Sequence, residues 1–222
     1  VEPMGQNARA TPYTVSAHML YENSNPLQLY EPGGHLDVTG AIYTALDDRR
    51  VRVTGSTWVP SHTYNVKLEG ARCGGYQCVS LALIREARYV QNIETWTKAV
   101  EENCRQKAQE RIEGDFTLEL RIIGLNATLG AQDMNAQIGT EVGVLGIVTA
   151  PSEMVAKEVA KMLNPYLLHM PLTDDEEMPT FAFPFSPNEM NRGEIYEFCL
   201  NHVMELDDPM QAFSLTIEQV RA

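Results

Sequence analysis

The sequence has no apolar run approaching the about eighteen residues that a membrane-spanning helix needs. Its 222 residues open with no basic-then-apolar leader, so a soluble, cytoplasmic protein is the expectation. Basic residues are scarce: 17 Lys and Arg stand against 30 Asp and Glu, giving a formal charge of −13. Apart from residues 174–177 the acidic excess is spread along the chain. A field of that sign repels phosphate backbones and anionic lipid, which argues against nucleic acid and membrane surfaces and for a protein or small-molecule partner. The chain has only 4 cysteines, which suits reduced thiols rather than a disulfide framework. Cys73-Gly-Gly-Tyr-Gln-Cys78 has too long a spacer for a zinc knuckle and no second pair completes the ligands, so no metal is expected. Cys104 and Cys199 fall in periodic segments that read as buried. A nucleophile elbow, a phosphate-cradling loop, a dinucleotide fingerprint and a paired-carboxylate motif are all missing. Nucleotide chemistry is therefore not expected in these residues, and no cofactor is expected within the chain.

What is present suits a globular core, with 44% hydrophobic and 8% aromatic residues. Thr11-Pro12 is a helix start, threonine as N-cap and proline in the first turn, for a short helix running to about Glu22. Glu31-Pro-Gly-Gly34 reads as a turn. Residues 36–46 read as a strand, 47–50 as a turn and 51–55 as its hairpin partner, with a loop through Trp58 and Pro60 to the next strand. Residues 76–84 are almost continuously apolar, as in a central strand. Residues 86–112 are helical, with Ile93, Trp96, Val100 and Cys104 on one stripe. Strands over 116–122 and 141–148 follow, separated by a Gly-, Asn- and Gln-rich connection. A second helix runs from Thr149-Ala-Pro-Ser to about Leu168, with Val155, Val159, Met162 and Tyr166 inward, and 179–185 reads as a last strand.

The order strand, helix, strand, strand, helix, strand predicts an α+β fold, a ferredoxin-like βαββαβ sandwich with both helices on one face of an antiparallel sheet. Residues 1–72 form an N-terminal helix and β-hairpin region, and 73–222 the ferredoxin-like domain. Its C-terminal extension, 195–206, fits strand and helix periods alike. The strand reading is preferred because it would pair with 181–185.

Tyr64-Asn-Val-Lys-Leu-Glu-Gly70 has strand alternation, and Lys67 and Glu69, two apart, project from one face. They can meet as an ion pair or line a cleft. On spacing alone the commoner outcome is a solvated sheet face, its pair worth about 0 to 1 kcal/mol. His18 and Glu22 lie one helical turn apart, as an imidazole oriented by a carboxylate would, although a solvated helix face is again the commoner outcome. Two residues do not make a metal site, and a third ligand would have to come from His35 or His202. Asn201-His202 is polar within an apolar stretch and must find partners where buried.

Tyr21-Glu22, Glu31-Pro-Gly-Gly34, Leu36-Asp37, Val51-Arg-Val-Thr-Gly-Ser56 and Val66-Lys-Leu-Glu-Gly70 form a collinear series. Glu141-Val-Gly-Val144, Val148-Thr-Ala-Pro151, Phe181-Ala-Phe-Pro-Phe-Ser-Pro187 and Leu200-Asn-His-Val203 continue it. In that order the series resembles the second half of the acyclic terpene utilisation family. Where the family commonly has Ile-Arg-Asp-Pro, this chain has Ile84-Arg-Glu-Ala87. The resemblance implies catabolism of acyclic terpenoids or branched hydroxy acids and acyl-CoA thioesters; it adds weight to Lys67, Glu69 and His202, which with the helix pair His18 and Glu22 are the candidate catalytic residues. Lyase or hydratase chemistry is the expected type, since Lys, Glu and His suffice for proton transfer next to a carbonyl. The resemblance also implies a preceding parallel-sheet half, as a domain or separate subunit, and with it an oligomer or a small companion protein. The alternative is a non-catalytic module that docks that half.

Overall fold

The computed structural model describes residues 1–19, 23, 25–134 and 137–219. It is a mixed α+β structure with antiparallel sheets, and it divides into two compact units, Val1–Ala71 with Phe198–Ala222, and Arg72–Glu197. Among the described residues no helix is long and apolar enough to cross a membrane.

The first unit begins with α1, Pro12–His18, capped by the Thr11 hydroxyl on the Thr14 amide. The expected helix extends toward Glu22, which lies outside the described residues, as do Leu20 and Tyr21. β1, Gln28–Glu31, and β2, Gly34–Asp37, form a hairpin whose tip is Pro32-Gly33. Gly33 at φ 86 takes the position of this turn that a Cβ disfavours. The stretch 36–46 is not one strand. The Asp37 carboxylate accepts from the Thr39 amide at 2.8 Å, turning the chain before β3, Ile42–Ala45. β3 then pairs with β4, Val51–Thr54, around the expected 47–50 turn. The supposed loop at Trp58 is strand β5, Thr57–Pro60, paired with β2. At Gly34 a Cβ would fall 2.2 Å from the Val59 carbonyl oxygen, so only glycine lets β5 approach.

β6, Tyr64–Ile84, unites two strands that the sequence pattern separates. The pattern is hidden by glycines 70, 74 and 75. A Cβ on Gly75 would lie 2.6 Å from the Ala150 carbonyl oxygen, so the strand stays in the sheet there only as glycine. In the second unit α2, Ala87–Gln91, and α3, Ile93–Arg111, replace the single expected helix, the break falling at Asn92. Glu86 caps α2 through the Tyr89 amide at 3.0 Å. Ala87 occupies the first helical position, where proline is also tolerated, so the departure from Ile-Arg-Asp-Pro leaves the helix start intact. β7, Thr117–Ile123, and β8, Val142–Ala150, pair antiparallel, as do β8 and β6.

Helix α4, Glu153–His169, starts on the Ser152 cap. It packs on β8 and on α3, while α3 packs on β7, so both helices cover one sheet face. Gly146 permits this closeness, since a Cβ there would lie 2.3 Å from Leu163 Cδ2. The core holds Ile84, Trp96, Val100, Val144, Val159 and Leu163. Met162 and Tyr166, expected inward, are only partly buried at its edge.

Residues 179–185 make an isolated bridge, Leu83 with Ala182, rather than a strand. Prolines at 179, 184 and 187 deny this stretch the amides that a ladder requires. The position beside β6 is taken by β9, Met190–Leu206, and the strand order is β7-β8-β6-β9. The 195–206 segment is thus a strand, but its neighbour is β6, with the Gly70 carbonyl beside Cys199. All four cysteines are free. Cys73 and Cys199 are exposed and Cys78 and Cys104 buried, which reverses the sequence reading for Cys199.

Candidate functional site

Strand alternation puts Asn65, Lys67 and Glu69 on one face of β6. The β1–β2 turn is laid against that face by two polar contacts. Asn65, only 7% exposed, accepts the Gly33 amide on Oδ1 at 2.6 Å. The Lys67 ammonium donates to Glu31 Oε1 at 2.8 Å and lies 3.3 Å from Glu69 Oε1. The Lys67 side chain is 20% exposed, and both carboxylates are more open to solvent. The hydrogen bond that Lys67 donates to Glu31 raises the Lys67 pKa above its usual value against a smaller opposing effect of burial, and Glu69 adds to the rise. Lys67 is therefore a fixed cation at neutral pH and cannot act as a base.

Beside Asn65 is a cavity of about 220 Å³, lined also by Tyr30, His35, Ser61, Val203 and Glu205. The Tyr30 and His35 rings lie 5.2 Å apart and tilted by 37°. The Tyr30 hydroxyl donates to Gln28 at 2.8 Å. The cavity thus offers an imidazole, a carboxylate, a hydroxyl and an amide around apolar walls.

The five residues singled out by sequence are distributed unevenly. Lys67 and Glu69 meet, joined by Glu31, which the sequence reading placed only in a turn. His18 is the last residue of α1, exposed, on a helix that packs against β3. Glu22 lies outside the described residues. His202 is exposed on β9, one residue out of step with Val203 and Glu205, which line the cavity. Sequence reasoning missed Glu31, Asn65 and Tyr30 as site residues. The available signal was the turn itself: a Pro-Gly-Gly tip brings the residues around it close to another backbone.

Among the described residues no group of three His, Cys, Asp or Glu could hold a metal ion. The second unit contains a larger cavity of about 530 Å³, lined by Cys73, Gly75, Asp115, Phe116, Ala150 and Pro151 among others. Its walls are mainly apolar.

A model of the acyclic terpene utilisation family, described as family protein AtuA, matches residues 2–181. The chain belongs to this family. The match includes the Glu31 turn, the Lys67 strand and the second unit as far as Phe181, while β9, with His202 and Glu205, lies beyond it. Neither a curated protein nor a solved structure matches the chain. Membership therefore supplies a metabolic setting, acyclic terpene utilisation, and leaves the chemistry to be argued from the residues.

Proposed function

We propose that this chain works in the cytoplasm in the breakdown of acyclic terpenoids, on branched hydroxy acids or their acyl-CoA thioesters, by addition or elimination of water next to a carbonyl. The observation that carries the reading is the Lys67 ammonium held between Glu31 and Glu69, on the strand face whose Asn65 and the hairpin whose Tyr30 line the cavity. A cation kept charged can polarise a carbonyl oxygen, while a carboxylate at 3.3 Å can take the adjacent proton. In this reading Lys67 binds the carbonyl, Glu69 is the base and Glu31 orients Lys67. His18, Glu22 and His202 remain candidate proton carriers, with no step assigned.

A preceding parallel-sheet half, as a domain or a separate subunit, would host the acyl-CoA, and the working form is an oligomer with that half or with a small companion protein. We also read Arg72–Glu197, with its β7-β8-β6-β9 order and antiparallel pairing, as ferredoxin-like.

Replacing Lys67 by alanine in the complete assembly should lower turnover of hydroxyacyl-CoA substrates more than tenfold, at least about 1.4 kcal/mol of barrier, with assembly intact. Unchanged turnover would overturn the reading. A second reading has its own support. Lys67 to Glu31 and Asn65 to Gly33 together fasten a turn to a strand, and a cavity of about 220 Å³ is smaller than most ligand sites. In that case the site is structural and the chain docks the other half. Lys67→Ala should then weaken assembly and leave the turnover of assembled protein unchanged.

A further inference from the structure

Loss of water next to a carbonyl moves two protons: one leaves the carbon beside the carbonyl, and one joins the departing hydroxyl. In the reaction proposed for Lys67, Glu69 takes the first, while Lys67, its pKa raised, is held as a cation and is a poor donor for the second. A donor stands on the wall of the cavity at Asn65. Tyr30 is the cross-strand partner of His35 and His35 that of Val59, so the three side chains share one sheet face and line the cavity together. β6 and β9 add Asn65, Val203 and Glu205. Most polar groups of this lining are committed elsewhere. The Tyr30 hydroxyl donates to Gln28, the Ser61 hydroxyl donates to the Thr63 carbonyl at 3.0 Å, and Asn65 Oδ1 accepts the Gly33 amide. Among the described residues, the imidazole of His35 and the carboxylate of Glu205 have no hydrogen-bond or ion-pair partner. Glu205 is exposed, and a carboxylate at neutral pH only accepts. His35 is half-buried against the Tyr30 ring, and an imidazole both gives and takes protons near neutral pH.

We propose that His35 is a further catalytic residue of the Lys67 site, the acid that protonates the hydroxyl leaving the substrate. This role rests on the reading of Lys67 and Glu69 given above. Glu69 takes the proton beside the carbonyl first, with Lys67 holding the enolate oxygen. The enolate electrons then form the carbon–carbon double bond, the C–O bond of the neighbouring hydroxyl breaks, and the His35 imidazolium gives that oxygen a proton, releasing water. Glu69 ends protonated and His35 neutral, and exchange with solvent restores both. Asn65 links the two parts of the site, since it lines the cavity and shares a strand face with Lys67 and Glu69. With a volume of about 220 Å³, the cavity is small enough that the groups around it reach one acyl head, the rest of the thioester lying outside.

In the complete assembly, two thioesters in heavy water separate the proton transfers. Exchange of the protons beside the carbonyl of 3-methylbutyryl-CoA, which has no hydroxyl to lose, reads Lys67 and Glu69 alone. Loss of water from 3-hydroxy-3-methylbutyryl-CoA needs His35 as well. His35→Gln should slow water loss about a hundredfold and leave exchange unchanged, whereas Lys67→Ala should slow both. In His35→Ala, added imidazole should restore water loss, which a packing role for His35 would not allow. The His35 assignment alone is overturned by unchanged water loss in His35→Gln, by exchange that falls with it, by failure of imidazole to restore His35→Ala, or by a wild type that exchanges without losing water. A wild type that does neither reaction overturns the Lys67 reading, and the role of His35 falls with it.

Discussion

Arg72–Glu197 and the unit formed by Val1–Ala71 with Phe198–Ala222 are held together by different forces. In the former, two helices cover a sheet face and enclose one continuous core around Trp96, where Tyr89 and Phe181 meet the indole edge-on and the indole NH donates to the Met170 carbonyl at 2.8 Å. In the latter, the buried apolar residues among those described are Ala10, Leu29, Val38, Val51 and Leu206. Strand ladders and single polar groups take over there. The Arg49 guanidinium reaches the carbonyls of Pro3, Gly5 and Ala8, Asn65 holds Gly33, and Lys67 holds Glu31. A buried large apolar side chain contributes about 1.5–3 kcal/mol, whereas a net hydrogen bond contributes about 0.5–1.5. Burial makes a unit stable without fixing any one loop. Directional polar ties fix particular loops at little total stability, and the candidate site lies among such ties, as sites that must open commonly do.

This contrast can be broken most severely at Trp96. Trp96→Ala should cost about 3–5 kcal/mol in urea unfolding of Arg72–Glu197. A loss below about 1 kcal/mol would mean that the unit is not held by burial, against that expected range. At Asn65 the effect should be smaller and local. Asn65→Ala leaves the Gly33 amide without its acceptor, at about 1–3 kcal/mol. Hydrogen exchange should accelerate across the β1–β2 turn and stay unchanged in α3 and α4. Acceleration in those helices would mean that the two units share their stability.

The smallest effect is the pH dependence at Lys67. Its pKa is raised in the folded chain, so its contribution is complete below the ordinary value of 10.5 and is lost as pH rises through the raised one. Half-open surroundings limit it to about 0–1 kcal/mol. The melting-temperature difference between wild type and Lys67→Met should therefore be constant from pH 6 to 9 and shrink above about pH 10.5. A difference that grows with pH would show that the ammonium is not the stabilising form.

Local pattern by itself indicated helices over 86–112 and from 149 to about 168, most of their buried stripes, the 47–50 turn, and the strand at Lys67 with Glu69 on the same face. Each of these follows from residues a few positions apart, through the 3.6- and 2-residue periods and the chemistry of caps and turns. The motif series likewise carried the family. Only the tertiary structure decided what depends on distant residues. Glycines 70, 74 and 75 look like strand ends, yet β6 runs through them because β8 and β9 approach the glycine backbone closely. Residues 179–185 are apolar enough for a strand, but their prolines leave them a single bridge, and the place beside β6 goes to β9. Lys67 has two acidic partners because the β1–β2 hairpin brings Glu31 across 36 positions of sequence to within 2.8 Å. Such a contact has no periodicity to announce it, since it is set by which surfaces pack and which backbone amides find acceptors.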